Sequence, residues 1–256
     1  MIVTIGGGEL EVERIDGRRS DAPPLVFLHQ GLGSVALWRS FPSDVVAATG
    51  NPAVVYSRHG YGLSAVVRDP RRPRYMHDEG LAVLPEVRAR IGLDRRPPIL
   101  VGHSDGASIA IIHAGAGRWP VAGLVLLAPH VFVEDRSIAG IEAARTEYLT
   151  TDMPERVAKY HADADATFWG WNDIWLSPTF RGWNIEEFLP GIDCPVLVVQ
   201  GEDDEFGTTA QVDAVAQGVA GPVEVVLLPD CRHSPHLDQP EATLEAVARF
   251  VSGREP

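Results

Sequence analysis

The residues with the clearest chemical potential are Gly102-His103-Ser104-Asp105-Gly106, inside the stretch PILVGHSDGASIAIIHAG. They fit G-x-S-x-G, with a β-branched run before them and an Ala/Ile-rich run of helical spacing after them. A serine at a strand-to-helix turn of this kind is forced into a strained backbone conformation that lifts its hydroxyl clear of the sheet. The glycines let strand and helix backbones pass close on either side. A serine hydroxyl is a weak nucleophile near neutral pH and needs a base, which is itself held by an acid. Downstream, the run PVLVVQG (195–201) leads into Gly201-Glu202-Asp203-Asp204-Glu205, and VEVVLLP (223–229) leads into Asp230-Cys231-Arg232-His233-Ser234-Pro235-His236. The chain order is therefore serine, acid, histidine, each on a loop after a strand. That places all three at the carboxyl edge of one sheet, where open α/β folds build their sites. The chemistry implied is acyl transfer through a covalent intermediate.

Positioning these loops requires a particular set of elements. Apolar runs predict strands at 2–5, 9–15, 25–29, 53–57, 99–103, 123–129, 195–201 and 223–229, the first two joined across Gly6-Gly7-Gly8 as a hairpin. Amphipathic stretches at 36–48, 78–91, 105–117, 208–219 and 239–252 alternate with them. The later strands are apolar along their whole length, as parallel strands covered on both faces must be. The reading is an α/β fold with a mostly parallel eight-stranded sheet flanked by helices. Between Pro129 and Pro195 lie roughly sixty residues, too many for a simple crossover, and they carry four of the six tryptophans. We read residues 131–190 as a helical cap inserted after the sixth strand, with helices at 137–149, 154–168 and 184–189, and residues 1–130 with 191–256 as the core. Most of the tryptophans should pack the cap; Trp169, Trp171 and Trp175, with His130 at the active edge, are the pocket candidates.

In these motifs the chain resembles the α/β-hydrolase fold family over essentially its whole length. Further likenesses are His29-Gln30-Gly31-Leu32-Gly33-Ser34 after the third strand and Ser57-Arg58-His59-Gly60-Tyr61-Gly62-Leu63-Ser64 after the fourth. The latter is similar to the family's D-x-R-G-x-G-x-S turn, with Ser57 in place of Asp. Within the family, Ser-Asp-Gly at the elbow resembles the small capped ester hydrolases of the biphenyl-hydrolase-like (valacyclovirase-like) group. The resemblance implies Ser104 as nucleophile and His233 as base, with Arg232 where the family has Gly. It implies Asp204 as acid, three residues after Gly201, with Asp203 as near competitor and Glu134 or Asp135 ranked third. The oxyanion hole needs two backbone N–H groups. One falls to Asp105, and the other to Leu32 when aligned from Gly33-Ser34 or to Gly31 when aligned from His29. Among the other histidines, His103 is expected to bond locally, His236 to cap or orient the last helix, and His29 to hold the shape of its loop.

The implied activity is a serine hydrolase cleaving small carboxylic esters, with aromatic or amino-bearing substrates considered. Carbon–carbon or thioester cleavage on the same residues is an alternative, as is a non-catalytic ligand-binding protein of the same fold. No cofactor or metal site is read: the histidines lack metal-ligand spacing and no phosphate loop is present. The net charge of −13 repels nucleic acid and anionic membrane surfaces, and no apolar run approaches the roughly 20 residues of a membrane span. The first residues lack a signal-peptide pattern, and Cys194 and Cys231 suggest reduced thiols, so a cytoplasmic location is expected. The expected partner is a small-molecule ester; self-association into a homo-oligomer is left open. Asp105 poses a separate question. At about 5 Å and an effective dielectric near 20, its charge would oppose a developing oxyanion by roughly 3 kcal/mol. Either it turns away into the first helical turn, or it faces the pocket and pairs with a cationic substrate group.

Overall fold

The computed structural model describes residues 1–93 and 96–253. Eight strands form one sheet: β1 (Ile2–Ile5), β2 (Gly8–Ile15), β3 (Leu25–Leu28), β4 (Ala53–Tyr56), β5 (Ile99–His103), β6 (Gly123–Leu127), β7 (Val196–Gly201) and β8 (Val223–Leu228). Their order is β1-β2-β4-β3-β5-β6-β7-β8. β1 and β2 form the antiparallel hairpin and β2 pairs antiparallel with β4, while all pairs from β4 to β8 are parallel. This is the α/β-hydrolase architecture.

The helices are α1 (Phe41–Thr49), α2 (Tyr75–Asp78), α3 (Leu84–Arg90), α4 (Asp105–Gly115), α5 (Asp135–Thr150), α6 (Met153–Ala158), α7 (Ala164–Trp175), α8 (Thr209–Gly218), α9 (Pro235–Asp238) and α10 (Pro240–Ser252). The two-residue period of the strands sorts the core into two layers. Leu25, Phe27, Ile99 and Val101 face α1 and α10 through Phe41, Val45, Val247 and Phe250. Val26, Leu28, Leu100 and Leu124 face the other side, where α3, α4 and α8 supply Leu84, Ile109 and Val215.

Several expected boundaries shift. The stretch at 36–48 is a short 3₁₀ turn (Ala36–Trp38) followed by α1, and the stretch at 78–91 begins earlier, with a π segment at Glu79–Val83 joining α2 to α3. The helix expected over 154–168 is two helices. The first ends at Ala158, and Asp163, whose side chain accepts the Ala166 N–H, starts α7 afresh. The piece expected at 184–189 is a 3₁₀ turn, Glu186–Gly191. Between β6 and β7 the chain therefore builds α5, α6 and α7, with an aromatic cluster in which Tyr148 stacks on Phe168 at 3.7 Å and Trp175 meets Phe180 at 5.1 Å.

Candidate active site

Ser104 occupies the turn between β5 and α4 with φ 53° and ψ −118°, a region that non-glycine residues rarely adopt. The surroundings over-determine it. Its N–H donates to the Leu127 carbonyl at 2.9 Å, and its own carbonyl accepts from Ala107 N–H at 2.8 Å and Ser108 N–H at 3.1 Å. A side chain on Gly102 would collide with Gly106 and Ala107, and one on Gly106 with the Leu28 carbonyl, so both positions must be glycine.

Asp204 and His233 meet across the loops after β7 and β8. The His233 Nδ1 lies 2.9 Å from each Asp204 carboxylate oxygen. The acid is held from behind by the N–H groups of Phe206 (2.8 Å) and Gly207 (3.2 Å) and by Gln200 Nε2 (2.8 Å). Burial works to raise the Asp204 pKa, but His233, the Phe206 N–H and His130 outweigh it and hold the carboxyl below its ordinary range. Burial likewise works to lower His233, yet Asp204, with the charges of Glu205 and Asp105, outweighs it and holds the imidazole above its ordinary value. His103 Nε2–H donates to the His233 carbonyl at 2.8 Å, which fixes the loop bearing that residue, and the Arg232 N–H donates to Asp238 at 2.9 Å. The lower-ranked acids are engaged elsewhere. Glu134 accepts from Thr208 and Gln211 at 2.6–2.9 Å, and exposed Asp135 pairs with Arg181.

Ser104 and His233 open together into a cavity of about 180 Å³. Gln30, Gly31 and Leu32 form one wall, and Trp171 and Trp175 of α7 close over it. The indole of Trp171 packs so closely on Gly31 that a side chain there would collide with it. Both candidates for the second oxyanion donor, Gly31 and Leu32, thus stand at the cavity. His130 is also in the wall, its ring 5.5 Å from that of His233, and burial with the neighbouring His233 pushes its pKa down to about 4. Trp169 does not line this cavity. It points to another side of α7, against Phe168 at 5.1 Å and Tyr148 at 5.6 Å, with the Arg145 guanidinium over its ring.

A model of the alpha/beta hydrolase family matches residues 25–246. The chain belongs to that family. Among curated proteins it is similar to a proline iminopeptidase of Lactobacillus delbrueckii subsp. lactis, 24% identical over 230 residues that cover 75% of this chain and 78% of that protein. Among solved structures it resembles the enol-lactonase from Burkholderia xenovorans LB400, with a TM-score of 0.75 and 19% identity over 98% of this chain and 100% of that one. It also resembles an esterase from Exiguobacterium antarcticum, with a TM-score of 0.76 and 18% identity over 98% of both chains.

Against the family pattern, three features of this hydrolase were not legible in its motifs. First, Asp105 turns away from the cavity. Its Oδ2 accepts the Tyr75 hydroxyl at 2.7 Å and lies 3.7 Å from the Arg58 guanidinium, with both charged side chains 1% exposed. Of the two orientations that the sequence left open, Oδ2 thus takes the internal one, beside a donor and a cation of the protein itself. Second, Ser57 does not lack a carboxylate. Its hydroxyl donates to Glu11 Oε2 at 2.7 Å, and the same oxygen accepts the Leu63 N–H at 3.0 Å, so an acid on β2 stands in for the family's Asp. Third, His161 ties two loops together: its Nδ1 accepts the Gly62 N–H at 2.9 Å and its Nε2–H donates to the Leu32 carbonyl at 3.1 Å. His236 caps nothing; it packs on Trp38 and Phe41 at 5.0 and 5.5 Å with neither ring nitrogen hydrogen-bonded. His29 holds its loop as expected, accepting the Arg58 N–H on Nε2 at 3.0 Å and donating from Nδ1 to the Gln30 carbonyl at 2.7 Å.

Proposed function

We propose that this hydrolase cleaves small carboxylic esters through an acyl-enzyme on Ser104. The observation that carries the reading is the paired Asp204–His233 contact in the same cavity as a serine held at φ 53°. His233 takes the Ser104 hydroxyl proton as the oxygen attacks the ester carbonyl. Asp204 holds the imidazole in the tautomer with hydrogen on Nδ1 and stabilises the imidazolium that forms. The oxyanion accepts from the Asp105 N–H, at the positive end of α4, and from Gly31 or Leu32. The imidazolium then protonates the departing alkoxide. Water, deprotonated by the same His233, attacks the acyl-enzyme and releases the acid.

Residues 131–190 act in this reading as the cap, and the indoles of Trp171 and Trp175 with Ile141 receive an apolar or aromatic acyl group. With Asp105 paired internally, this reading places no substrate cation against the elbow. A second reading, peptide-bond cleavage next to proline, follows the name of the curated relatives. It is favoured by Glu205, a carboxylate at the exposed rim of the cavity.

A fluorophosphonate should label Ser104 stoichiometrically, and Ser104→Ala should abolish labelling and lower p-nitrophenyl ester turnover by orders of magnitude. Folded protein that stays unlabelled would refute the hydrolytic reading. Faster turnover of a proline p-nitroanilide than of p-nitrophenyl acetate would put the second reading first.

A further inference from the structure

Behind the nucleophile lies a group of charged and phenolic side chains that the proposed chemistry leaves unused. Arg58 is fully buried at its centre. Its Nη2 donates to the Gln30 carbonyl at 3.0 Å and the His29 carbonyl at 3.2 Å, the two peptide units that precede Gly31. The same nitrogen stands 3.7 Å from Asp105 Oδ2, and the guanidinium lies over the Tyr61 ring at 4.7 Å. On the far side, the Trp175 Nε1–H donates to the Tyr75 hydroxyl at 3.1 Å, and Tyr75 donates to Asp105. One connected chain of polar contacts thus runs from the Trp175 wall, under the elbow, to the backbone of the opposite wall. Glu79 and Arg71 complete the group: Glu79 is buried and acts on Arg58, while Arg71 covers the Tyr61 and Tyr75 rings at 4.6 and 5.5 Å.

The arrangement answers an electrostatic problem. Asp105 follows the nucleophile directly, and a bare carboxylate there would oppose the oxyanion that its own N–H must stabilise. Tyr75 supplies a hydrogen bond but no charge. Arg58 is the cation in contact with the carboxylate. We infer that Arg58 is a positioning residue of the hydrolytic reaction, cancelling the Asp105 charge behind the elbow while its other contacts fix the loop that donates the second oxyanion N–H. The inference rests on the proposed Ser104 chemistry. It separates two things that a scaffold residue would combine: one part of the role is charge, and removing the opposite charge should relieve its loss.

The test is a cycle of Arg58→Met, Asp105→Asn and the double variant, with Arg58→Lys alongside, each read by p-nitrophenyl ester kinetics and by the rate of fluorophosphonate labelling. Arg58→Met leaves Asp105 buried and uncompensated; kcat and the labelling rate should fall together by about 100-fold while KM moves less than about threefold. Asp105→Asn in that background should recover at least about tenfold, because the unpaired charge is gone, and Arg58→Lys should fall between wild type and Arg58→Met. Arg71, whose charge also favours the Glu79 carboxylate, is retained in every variant. A double variant no better than Arg58→Met, or a loss confined to KM, overturns the inference while a labelled wild type leaves the hydrolytic reading standing. A wild type that does not label overturns both. Should Arg58→Met not fold, a double variant that folds and labels supports the charge argument, and one that also fails to fold overturns it.

Discussion

At the residue scale, the acid can be told from its neighbour by what each touches. Asp204 is buried on His233, whereas Asp203 is exposed and contributes a backbone N–H to the Cys231 carbonyl at 2.9 Å. Asp204→Asn is expected to lower kcat by about 10³–10⁴-fold, since the imidazole loses its orienting anion, while Asp203→Asn changes it by less than about threefold. Stopped or continuous ester assays decide the point, and a larger loss at Asp203 would refute the assignment. The same pair sets the pH dependence. His233 must be neutral to accept the serine proton, and Asp204 holds its pKa above the ordinary imidazole value. The acidic limb of kcat/KM is therefore expected above about pH 6.5 in the wild type, and lower in Asp204→Asn, where residual turnover is measured across pH 5–9. The order of serine, acid and histidine on loops after three strands was readable in the chain, whereas the choice of Asp204 over Asp203 came from the resemblance to the family, and the contact of Asp204 with His233 agrees with it. The partners of Asp105 were not readable: Tyr75 stands 30 positions away and Arg58 further still, and nothing local to any of them signals the contact.

At the element scale, α7 carries two functions on different faces. Trp171 and Trp175 line the cavity, whereas Trp169 packs against Tyr148 and Phe168, and Trp183 of the following turn lies 5.3 Å from Phe180. Trp171→Ala and Trp175→Ala are expected to widen the cavity and shift preference toward longer or bulkier acyl groups, measured as kcat/KM across acetate, butyrate, hexanoate and benzoate esters. Trp183→Ala should instead cost about 3–5 kcal/mol of stability, on the order of a 10 °C fall in Tm, with preference unchanged. If all three substitutions lower Tm and none moves the acyl profile, the helix serves packing alone. The alternation of strands and helices in the core was legible because buried parallel strands must be apolar throughout. The helices between β6 and β7 were legible as helical but not in their breaks. The break between α6 and α7 is held by long-range contacts, the Ala162 N–H on the Gly62 carbonyl and His161 on Gly62 and Leu32, and the Asp163 carboxylate then accepts the Ala166 N–H to start α7. The Ser57–Glu11 contact shows the same limit across elements: the carboxylate that the turn requires comes from β2, 46 positions earlier.

At the scale of the whole molecule, the distribution of buried imidazoles governs how the fold responds to acid. His113, His130 and His236 are all buried, and burial as the largest cause pushes each down to about 4. In the unfolded chain each would titrate near 6.5, so between about pH 6.5 and 4 the unfolded state binds the protons and the native state does not. The stabilisation is fully present above pH 6.5 and is lost as pH falls toward 4, up to about 3 kcal/mol for each residue. Together these terms approach the 5–15 kcal/mol that holds a typical domain folded. The depressed carboxyl of Asp204 adds in the same direction, whereas His233, raised in the native state, contributes the opposite sign. The urea midpoint is therefore expected to fall steeply between pH 7 and pH 5. His236 offers the cleanest control, because its ring packs on Trp38 and Phe41 and neither nitrogen has a hydrogen-bond partner. His236→Phe should keep that packing, leave stability at pH 7.5 equal or higher, and reduce the fall between pH 7 and pH 5 by about 1–3 kcal/mol. An unchanged pH slope in that variant would mean that His236 does not titrate with unfolding, and the acid sensitivity would have to be sought in His113 and His130.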